Sequence, residues 1–456
     1  MKNNALIVSV SGLRGIVGSS LNTDIASRYA TAFALSIPDG PIVIGRDGRE
    51  SGPTFASAIT HTLRTLGRDV LDCGIAATPT VGIVVREEHA SGGIQISASH
   101  NPSDYNGLKL FSSAGRVLPA SEGAVIKERF ESLGDTPPTT ASSHFGMLRI
   151  VDGTASHVGL VADTVNVEAI RQHRPRVWLD SGHGAGSRVA KPLLEYLGCD
   201  LVLEGGTPDG QFEHIPEPTA TNLAGLLPRI PASQADVGFF QDPDADRLAI
   251  ATSDGHYIGE ECTLALVVNH VLSKSPGPIV INCSTSMMSA QIASSYQVPC
   301  YTSAVGEANV VDMMLKEEAI LGGEGNGGVI DPRVGLVRDS FSAMALTLDR
   351  MCASQSITSI DTLSQDLPTM SMKKIKLNLR KDSQKTALTA GMSRVEKAFP
   401  NSSSSWTDGL RLDWDDGWLL IRGSNTEPIV RIVAEAKNES AVLHRITRAQ
   451  SAFETS

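Results

Sequence analysis

Hydrophobic residues in the first third of the chain alternate between strand-like and helix-like spacing. The segments ALIVSV and PIVIG are short apolar runs typical of buried strands. Two other stretches place apolar residues on one helical face: Ile25, Tyr29 and Phe33, then Phe55, Ile59, Leu63 and Leu66. Alternation of this kind predicts an α/β unit.

The same organisation recurs twice further along the chain. A strand RVWLD, a loop SGHGAGS and a helical stretch RVAKPLLEYLG form one unit, and PIVIN, CSTSMMS and AQIASSY form another. Three α/β units in series fit this pattern better than one large sheet does. The stretch GDTPPTTASS, residues 134–143, is rich in Pro, Thr and Ser and predicts an exposed connection after the first unit.

From about Met370 the pattern changes to alternating strands. KKIKLNL, GLRLDW, GWLLI and IVRIVAEA follow one another, and Asp416-Gly417 predicts a hairpin turn between two of them. We therefore expect a separate C-terminal α+β domain with an antiparallel sheet. The run SSSS at 402–405 is interpreted as a flexible loop.

Composition narrows the class of partner. The chain has 456 residues, 39 Lys and Arg against 50 Asp and Glu, and a formal net charge of -11. This length implies several domains, and the absence of a basic run makes nucleic acid an unsuitable partner. An anionic ligand would need positive charge supplied locally, by a few arginines, backbone amides or a metal.

Neither a membrane nor an oxidising compartment is indicated. The apolar run nearest the N-terminus, Ala5 to Val10, is far short of the roughly 18 residues that a membrane span needs, and no cleavage site follows it. The six cysteines include no C-x-x-C pair, so we expect them to be reduced. The expected location is the cytoplasm.

The segment FFQDPDADRLAI, residues 239–250, is the strongest candidate for a metal site. Asp242, Asp244 and Asp246 alternate, so in an extended loop their carboxylates would point to one side and repel each other without a cation between them. Oxygen ligands favour Mg²⁺, with Mn²⁺ as the alternative. An EF-hand is excluded, because its sixth and twelfth positions would be Arg247 and Ser253. The simpler alternative is an exposed acidic turn.

The segment QISASHNPSDYNGLKLF, residues 95–111, begins as a buried strand and then contains Asn-Pro and Asn-Gly, which predict turns. Ser99 is a candidate nucleophile or phosphoryl carrier, with His100 and Lys109 as candidates for proton transfer. A Ser-His-Asp hydrolase is disfavoured, because no G-x-S-x-G motif is present and adjacent side chains in an extended segment diverge. A capped strand end without chemistry is the alternative.

Two further loops have compositions suited to a phosphosugar. In LLIRGSNTEPIVRI, residues 419–432, an arginine fork and a polar loop suit a phosphate dianion, through Arg422, Ser424, Asn425 and Thr426 with Arg431 as a weaker addition. In ILGGEGNGGVI, residues 320–330, glycines surround Glu324 and Asn326, which suits sugar hydroxyls. A polar hairpin tip and a ligand-free glycine turn are the respective alternatives.

Two glycine-containing loops give weaker signals. SGLRGIVG, residues 11–18, places Arg14 between glycines. SGHGAGS, residues 181–187, lies at a strand-to-helix crossing but reads G-x-G-x-G, which misses the dinucleotide-binding spacing. A nucleotide cofactor is therefore not expected.

Taken together, these loops describe a phosphosugar lying across a cleft between domains, and the motifs resemble those of the α-D-phosphohexomutase family over essentially the whole chain. The matching motifs are SASHNPSDYNGLKL, DPDADR, GGEGNGG and RGSNTEP, in the family's order, with SGLRGIVG and PDGQFEHIPEPTATNL as further similar stretches. The combination is highly specific, although each motif alone is not.

The resemblance implies a fold and a reaction. It implies three similar α/β domains with mixed sheets around a central cleft, and a smaller C-terminal α+β domain, for which we place the boundaries at 1–145, 146–252, 253–369 and 370–456. It also implies an isomerase, an intramolecular phosphotransferase that interconverts hexose 6-phosphate and hexose 1-phosphate. A phosphoserine enzyme and a hexose 1,6-bisphosphate, which also serves as activator, would be the intermediates.

The resemblance also implies roles for the residues already singled out. One Mg²⁺ per chain would be held by phosphorylated Ser99 with Asp242, Asp244 and Asp246. Transfer would be assisted by Arg14, His100, Lys109 and Arg247. The substrate would be bound by Glu324, Asn326, Arg422, Ser424, Asn425, Thr426 and Arg431.

The loop at residues 320–330, called the sugar loop below, does not decide which hexose phosphate is the substrate. Many members read G-E-x-S-G-H, whereas this chain has Asn326 and Gly328 at the serine and histidine positions, a form similar to archaeal-type phosphoglucosamine mutases. Glucosamine phosphate is therefore the expected substrate, with a phosphoglucomutase/phosphomannomutase as the alternative. A phosphatase would not need the RGSNTEP loop, and a non-catalytic sugar-phosphate-binding relative would be expected to have lost Ser99 or an aspartate. We expect a small phosphosugar partner, no nucleic acid, no membrane, and a monomer or homodimer.

Overall fold

The computed structural model describes residues 6–134, 144–378, 384–423 and 429–454. Four sheets follow one another along these residues. The first three are mixed and the last is antiparallel, which confirms the expected fold class. Most of the predicted exposed connection at 134–143 lies outside the described residues.

The first sheet has seven strands in the order β1-β2-β6-β5-β3-β4-β7. Its strands are β1 (Ile7–Ser9), β2 (Gly12–Ile16), β3 (Ile42–Arg46), β4 (Val70–Ile75), β5 (Gly92–Ile96), β6 (Tyr105–Ser112) and β7 (Leu148–Ile150). Its helices are α1 (Thr23–Ala34), α2 (Gly52–Thr65), α3 (Thr78–Glu87) and α4 (Ala120–Ser132). Strand β3 pairs in parallel with β4 and β5, whereas β6 pairs antiparallel with β2 and β5.

Helices cover both faces of this sheet, which explains the unbroken apolar run Ile42–Ile44 in β3. Ile42 and Ile44 of β3 pack with α1, α2 and α4, whereas Val43 between them packs with α3. Successive strand residues point to opposite faces, so a strand buried on both sides needs an apolar residue at each position.

The second and third sheets have four strands each, in the orders β11-β10-β8-β9 and β13-β12-β14-β15. The second unit contains β8 (Arg176–Asp180), β9 (Asp200–Glu204), β10 (Val237–Gln241) and β11 (Leu248–Thr252), with α5 (Thr154–Ala162), α6 (Val167–His173), α7 (Ser187–Tyr196), α8 (Ala220–Leu223) and α9 (Arg229–Ser233). The third contains β12 (Ile279–Asn282), β13 (Cys300–Ser303), β14 (Leu321–Glu324) and β15 (Gly328–Ile330), with α10 (Glu260–Lys274), α11 (Met287–Ser295), α12 (Glu307–Lys316), α13 (Ser340–Met351) and α14 (Ile360–Gln365). One hydrophobic core joins the two units.

The fourth sheet has the order β16-β20-β19-β18-β17 and is antiparallel throughout. Its strands are β16 (Ser371–Asn378), β17 (Ser403–Ser405), β18 (Leu410–Trp414), β19 (Gly417–Gly423) and β20 (Ile429–Ala436), and its helices are α15 (Gln384–Ala398) and α16 (Glu439–Glu454). The helices cover one face. On the other face Trp418, Leu420 and Val433 pack against Cys283 of the third unit.

Two local predictions are wrong. The run at 402–405 is largely the edge strand β17 rather than a loop, because Ser403–Ser405 pair with β18. The predicted turn at Asn106-Gly107 lies inside β6, where both residues pair with β2. In each case pairing with a neighbouring strand overrides the local turn preference of the residues.

No helix among the described residues is long and apolar enough to cross a membrane. All six cysteines are unpaired.

Candidate active site

Ser99 lies just beyond β5 in a strained backbone conformation. Its φ is +49°, and only 5% of the residue is exposed. The left-handed conformation costs a non-glycine residue roughly 1–3 kcal/mol. It turns Oγ toward the second unit, where Oγ donates a hydrogen bond of 2.9 Å to Oδ2 of Asp242. The expected divergence from His100 is wrong, because Ser99 is not extended and its Oγ lies 3.3 Å from Nδ1 of His100.

Asp242, Asp244 and Asp246 lie in the connection between β10 and β11, and all three are fully buried. One oxygen of each carboxylate lies within 4.8 Å of the others. The connection is a turn, with Ala245 at φ +55°, rather than the extended loop that the alternation predicted. The convergence of the carboxylates therefore comes from the turn between two antiparallel strands.

The cluster fits a hard divalent cation. Burial, followed by the charges of Asp244 and Asp246, raises the pKa of Asp242 well above its ordinary value. In the part of the chain that the structure describes, Oδ1 of Asp244 and Oδ1 of Asp246 are buried without a hydrogen-bond partner. Buried anionic oxygens that repel each other and lack donors are stabilised by a bound cation, and an all-oxygen set suits Mg²⁺.

Two predicted cationic residues flank the cluster. Nζ of Lys109 lies 2.7 Å from Asp246 and 3.7 Å from both Asp244 and Glu307. Burial alone would lower the pKa of Lys109, but these carboxylates raise it above its ordinary value. Nε of Arg247 lies 3.7 Å from Oδ1 of Asp246 and 3.9 Å from Oδ2 of Asp242.

Arg14 and His100 lie on the Ser99 side. Nη1 of Arg14, on β2, donates to Oδ1 of Asn101 at 2.6 Å. Burial, and then the charges of Arg247 and Arg14, lowers the pKa of His100 to about 2. The structure thus brings together Ser99, all three aspartates and the four residues that were expected to assist transfer.

Glu324 ends β14 with both carboxylate oxygens engaged. Oε1 accepts from Nδ2 of Asn282 at 2.8 Å and from the Gly306 amide at 3.2 Å. Oε2 accepts from Arg338 at 2.9 Å and from Nδ2 of Asn326 at 3.3 Å. Glu324 therefore organises the loop at residues 320–330.

Arg338 was missed by the sequence analysis, although it connects the sugar loop to the aspartates. Its Nη2 donates to Asp246 at 2.5 Å, Nη1 to Glu324 at 2.9 Å and Nε to Glu307 at 3.3 Å. A Cβ on Gly328 would lie 2.4 Å from Cδ of Arg338, so a side chain at 328 would require this arginine to shift. Gly328 was the only signal in the sequence, since Arg338 itself belongs to no motif.

The predicted phosphate site lies on the fourth sheet. Arg422, the penultimate residue of β19, lies directly opposite Arg431 of β20, which in turn is opposite Lys376 of β16. Directly opposite residues share a face of the sheet, and like charges placed so repel each other unless an anion lies among them. Nη2 of Arg422 lies 3.1 Å from Asp408, while its Nε is buried with no hydrogen-bond partner among the described residues. Ser424, Asn425 and Thr426 lie outside the described residues.

Arg422, Arg431 and Lys376 form a cationic row. Within the described part of the chain, no hydrogen bond or ion pair joins this row to Ser99 or to the three aspartates. Lys376 was not predicted, although the alternation along β16 places it on the same face as Lys374 and Met372.

Four family models match the chain in order. They are described as phosphoglucomutase/phosphomannomutase alpha/beta/alpha domain I at residues 6–136, domain II at 155–255, domain III at 260–370, and the C-terminal domain at 377–449.

Curated relatives cover nearly the whole chain. A protein named phosphoglucomutase/phosphomannomutase from Thermococcus kodakarensis is 34% identical, over 94% of each chain. A protein named probable phosphoglucosamine mutase from Methanopyrus kandleri is 29% identical, over 94% of this chain and 93% of the relative.

Solved structures of similar fold cover nearly the whole chain as well. A phosphoglucomutase/phosphomannomutase family protein from Burkholderia thailandensis has a TM-score of 0.84 at 25% identity, covering 98% of this chain and 97% of that chain. N-acetylphosphoglucosamine mutase from Aspergillus fumigatus, solved with GlcNAc-6P and magnesium, has a TM-score of 0.61 at 14% identity, covering 99% and 96%. The latter shares the fold.

Proposed function

Since this chain belongs to the phosphoglucomutase/phosphomannomutase family and is a phosphosugar mutase, we propose that it interconverts hexose 6-phosphate and hexose 1-phosphate through a phosphoserine at Ser99. The observation that carries the proposal is the hydrogen bond from Ser99 Oγ to Asp242, inside a buried cluster of three carboxylates. A serine held there is placed to exchange a phosphoryl group in a site that excludes water.

The reaction takes place in two transfers. A hydroxyl of the hexose monophosphate attacks phosphorus on phosphorylated Ser99, so that its bond to phosphorus forms while the bond from Oγ breaks. The hydroxyl proton passes to a nearby base and from there to Oγ, which becomes a free hydroxyl. The hexose 1,6-bisphosphate then turns end for end, and the reverse transfer of its other phosphoryl group restores the phosphoserine and releases the isomeric monophosphate.

His100 and Lys109 are the two candidates for the proton transfer. Nδ1 of His100 lies 3.3 Å from Oγ of Ser99, whereas the Lys109 ammonium is paired with Asp246 at 2.7 Å. Arg14 supports the loop through Asn101, and Arg247 places a further positive charge beside the aspartates. These positive charges stabilise the negative charge on the phosphoryl group during transfer.

Asp242, Asp244 and Asp246, with the phosphate of Ser99, would hold Mg²⁺, which when bound would neutralise charge on the transferring phosphoryl group. Two oxygens of the cluster, Oδ1 of Asp244 and Oδ1 of Asp246, are buried without a hydrogen-bond donor among the described residues, and this supports the assignment of a metal site.

A mutase of this kind needs a second phosphate site, because the bisphosphate binds in both orientations. The cationic row of Arg422, Arg431 and Lys376, together with the RGSNTEP loop, supports a second phosphate site at a distance from Ser99. A phosphatase would have no use for it.

We propose glucosamine phosphate as the preferred substrate. The G-E-x-N-G-G loop supports this choice, as do several archaeal relatives named probable phosphoglucosamine mutase at 27% to 30% identity. Glucose or mannose phosphate is the second candidate, favoured by the Thermococcus kodakarensis relative at 34% identity.

A side-by-side turnover panel tests the proposal. Purified protein, primed with glucose 1,6-bisphosphate and Mg²⁺, is given the 6-phosphates of glucosamine, N-acetylglucosamine, glucose and mannose. We expect conversion to 1-phosphates, fastest for glucosamine. A decisive preference for mannose would overturn the substrate, and release of inorganic phosphate without isomerisation would overturn the reaction.

A further inference from the structure

We propose that Arg49 is a positioning residue that holds the Ser99 loop, residues 99–105, in its reactive conformation, and that a loop of the second unit, residues 207–214, keeps Arg49 in place. The inference rests on the proposed function for its catalytic consequence. The contacts that carry it involve two stretches, PDGQFEHIPEPTATNL and SGHGAGS, to which the chemistry above assigns no role.

Arg49 donates four side-chain hydrogen bonds to the Ser99 loop. It follows β3 and is 1% exposed. Its Nη2 donates to the carbonyls of Ser99 at 2.7 Å and Asn101 at 2.6 Å, and its Nη1 to those of Pro102 at 2.6 Å and Tyr105 at 3.0 Å. One rigid, planar cation therefore fixes both ends of the loop.

The fifth donor orients the guanidinium. Nε of Arg49 donates to Asp47 at 3.0 Å, and the fully buried Asp47 also accepts from Ser97 Oγ at 2.7 Å. Ser97 Oγ in turn accepts from the Ser99 amide at 2.8 Å. All five donors of Arg49 are thus used, and a lysine, with three donors on a flexible chain, would reproduce only part of the pattern.

The second unit closes over the opposite side of Arg49. The Phe212 ring centroid lies 5.1 Å from Cζ of Arg49, within cation–π range. A Cβ on Gly210 would lie 2.8 Å from Cα of Arg49, so the loop backbone lies directly against it. The Gly210 amide donates to the carbonyl of His183 at 3.1 Å, which ties the loop to SGHGAGS.

SGHGAGS also supports the aspartate turn. The Ala185 amide donates to the carbonyl of Pro243 at 2.8 Å, and Ser181 Oγ donates to Gln241 at 2.9 Å. The second unit therefore supports the aspartate turn that contains Asp242 and packs against Arg49, which in turn holds the Ser99 loop. Without Arg49, the left-handed Ser99 would lose the contacts that offset its strain, and the loop would relax.

The experiment compares Arg49→Lys with a matched control, Arg68→Lys. Arg68 is also buried, and it too donates to four backbone carbonyls, those of Ala34, Ile37, Pro38 and Gly40. These carbonyls precede β3 and Arg68 precedes β4, so they lie at the amino ends of the parallel strands. Ser99 follows β5 and lies at the other end. A merely structural role would make the two variants behave alike.

We expect Arg49→Lys to lower kcat by about 10²-fold, because a small misplacement of a reacting group has that effect, with KM for the hexose phosphate within about twofold. Arg68→Lys should lower the melting temperature but leave kcat within about twofold. Hydrogen exchange of the amides of 99–107 should be faster in Arg49→Lys only. Equal kcat values for the two variants, or unchanged exchange, would overturn the proposal.

Phe212→Leu serves if Arg49→Lys does not fold, since it removes the aromatic face and keeps every hydrogen bond of Arg49. Faster exchange of 99–107 and a kcat lowered about threefold are expected, and unchanged values would overturn the role of the loop. The exchange measurement needs no substrate. A wild-type protein that isomerises no hexose phosphate would sink the proposed function, while the exchange result would still decide whether Arg49 holds the loop.

Discussion

Ser99 and Asp242 lie 143 positions apart in the sequence, and the hydroxyl of the first donates a hydrogen bond of 2.9 Å to the carboxylate of the second. Ser99 belongs to the first sheet unit and Asp242 to the second, so the contact exists only when the two units are docked. Docking is reinforced next to the site, where the Thr78 hydroxyl donates to Asp244 at 2.7 Å and its amide to the Asp244 carbonyl at 2.9 Å. The chemistry therefore depends on the packing between units as much as on either motif.

Replacing Ser99 tests the phosphoryl carrier. Ser99→Ala should lack the phosphoryl group in an intact-mass measurement and should lose turnover by at least about 10³-fold. Ser99→Gly should be equally inactive but about 1 kcal/mol more stable than Ser99→Ala, because glycine adopts the positive φ of this position without strain. Full turnover in an unphosphorylated variant would contradict the mechanism.

Asp244→Asn tests the metal site. The change keeps the shape of the side chain and removes one of three buried charges, so turnover should fall by at least about 10²-fold and the rise in melting temperature on adding Mg²⁺ should shrink. The metal-free variant should be at least as stable as the metal-free wild type, since repulsion is relieved. Asp254→Asn, at an exposed turn, is the control. A wild-type response to Mg²⁺ would mean that the metal lies elsewhere.

Glu261 should make stability depend on pH. Burial raises its pKa from 4.5 to about 8, opposed by Lys374 and the Ser286 amide and assisted by the charges of Glu260 and Glu435. Between pH 4.5 and 8 the unfolded chain loses this proton while the folded protein keeps it, so the free energy of unfolding should fall as pH rises through that window. Urea unfolding across the window measures this.

The control for that measurement is Glu260→Gln, beside it on α10. Glu261→Gln should flatten the pH profile and be more stable than wild type at pH 8, whereas Glu260→Gln should leave the slope in place. Parallel profiles for wild type and Glu261→Gln would show that the carboxyl titrates normally.

Arg422→Lys tests the second phosphate site. Lysine keeps the charge but loses the bidentate fork, and a hydrogen bond to a charged group contributes about 1.5–3 kcal/mol, so KM should rise by about 10- to 100-fold with a smaller change in kcat. The control is Arg448→Lys on α16, on the other side of the same sheet. An unchanged KM would exclude Arg422 from substrate binding.

Local chemistry could be predicted from the sequence where function needs neighbouring residues. The alternating aspartates, Ser99 with His100, and the glycine-rich sugar loop are each contiguous, so their spacing carried the information. The sheet class was predictable for the same reason, since the residue period of each element is local.

Residues whose roles come from distant contacts could not be predicted. Arg338 is 92 positions from Asp246, and Arg49 is 50 positions from Ser99, so no spacing marks either. Ser99 itself was expected in an extended segment, because its left-handed backbone is imposed by surrounding contacts rather than by local preference.

The most direct test of the central claim is transfer of label from the enzyme. Protein phosphorylated on Ser99 from radiolabelled glucose 1,6-bisphosphate is isolated and mixed with unlabelled hexose 6-phosphate in a single turnover. The label is predicted to leave Ser99 and appear in hexose 1,6-bisphosphate and hexose monophosphate at the rate of turnover. Label that stays on Ser99 while isomerisation proceeds would contradict the account.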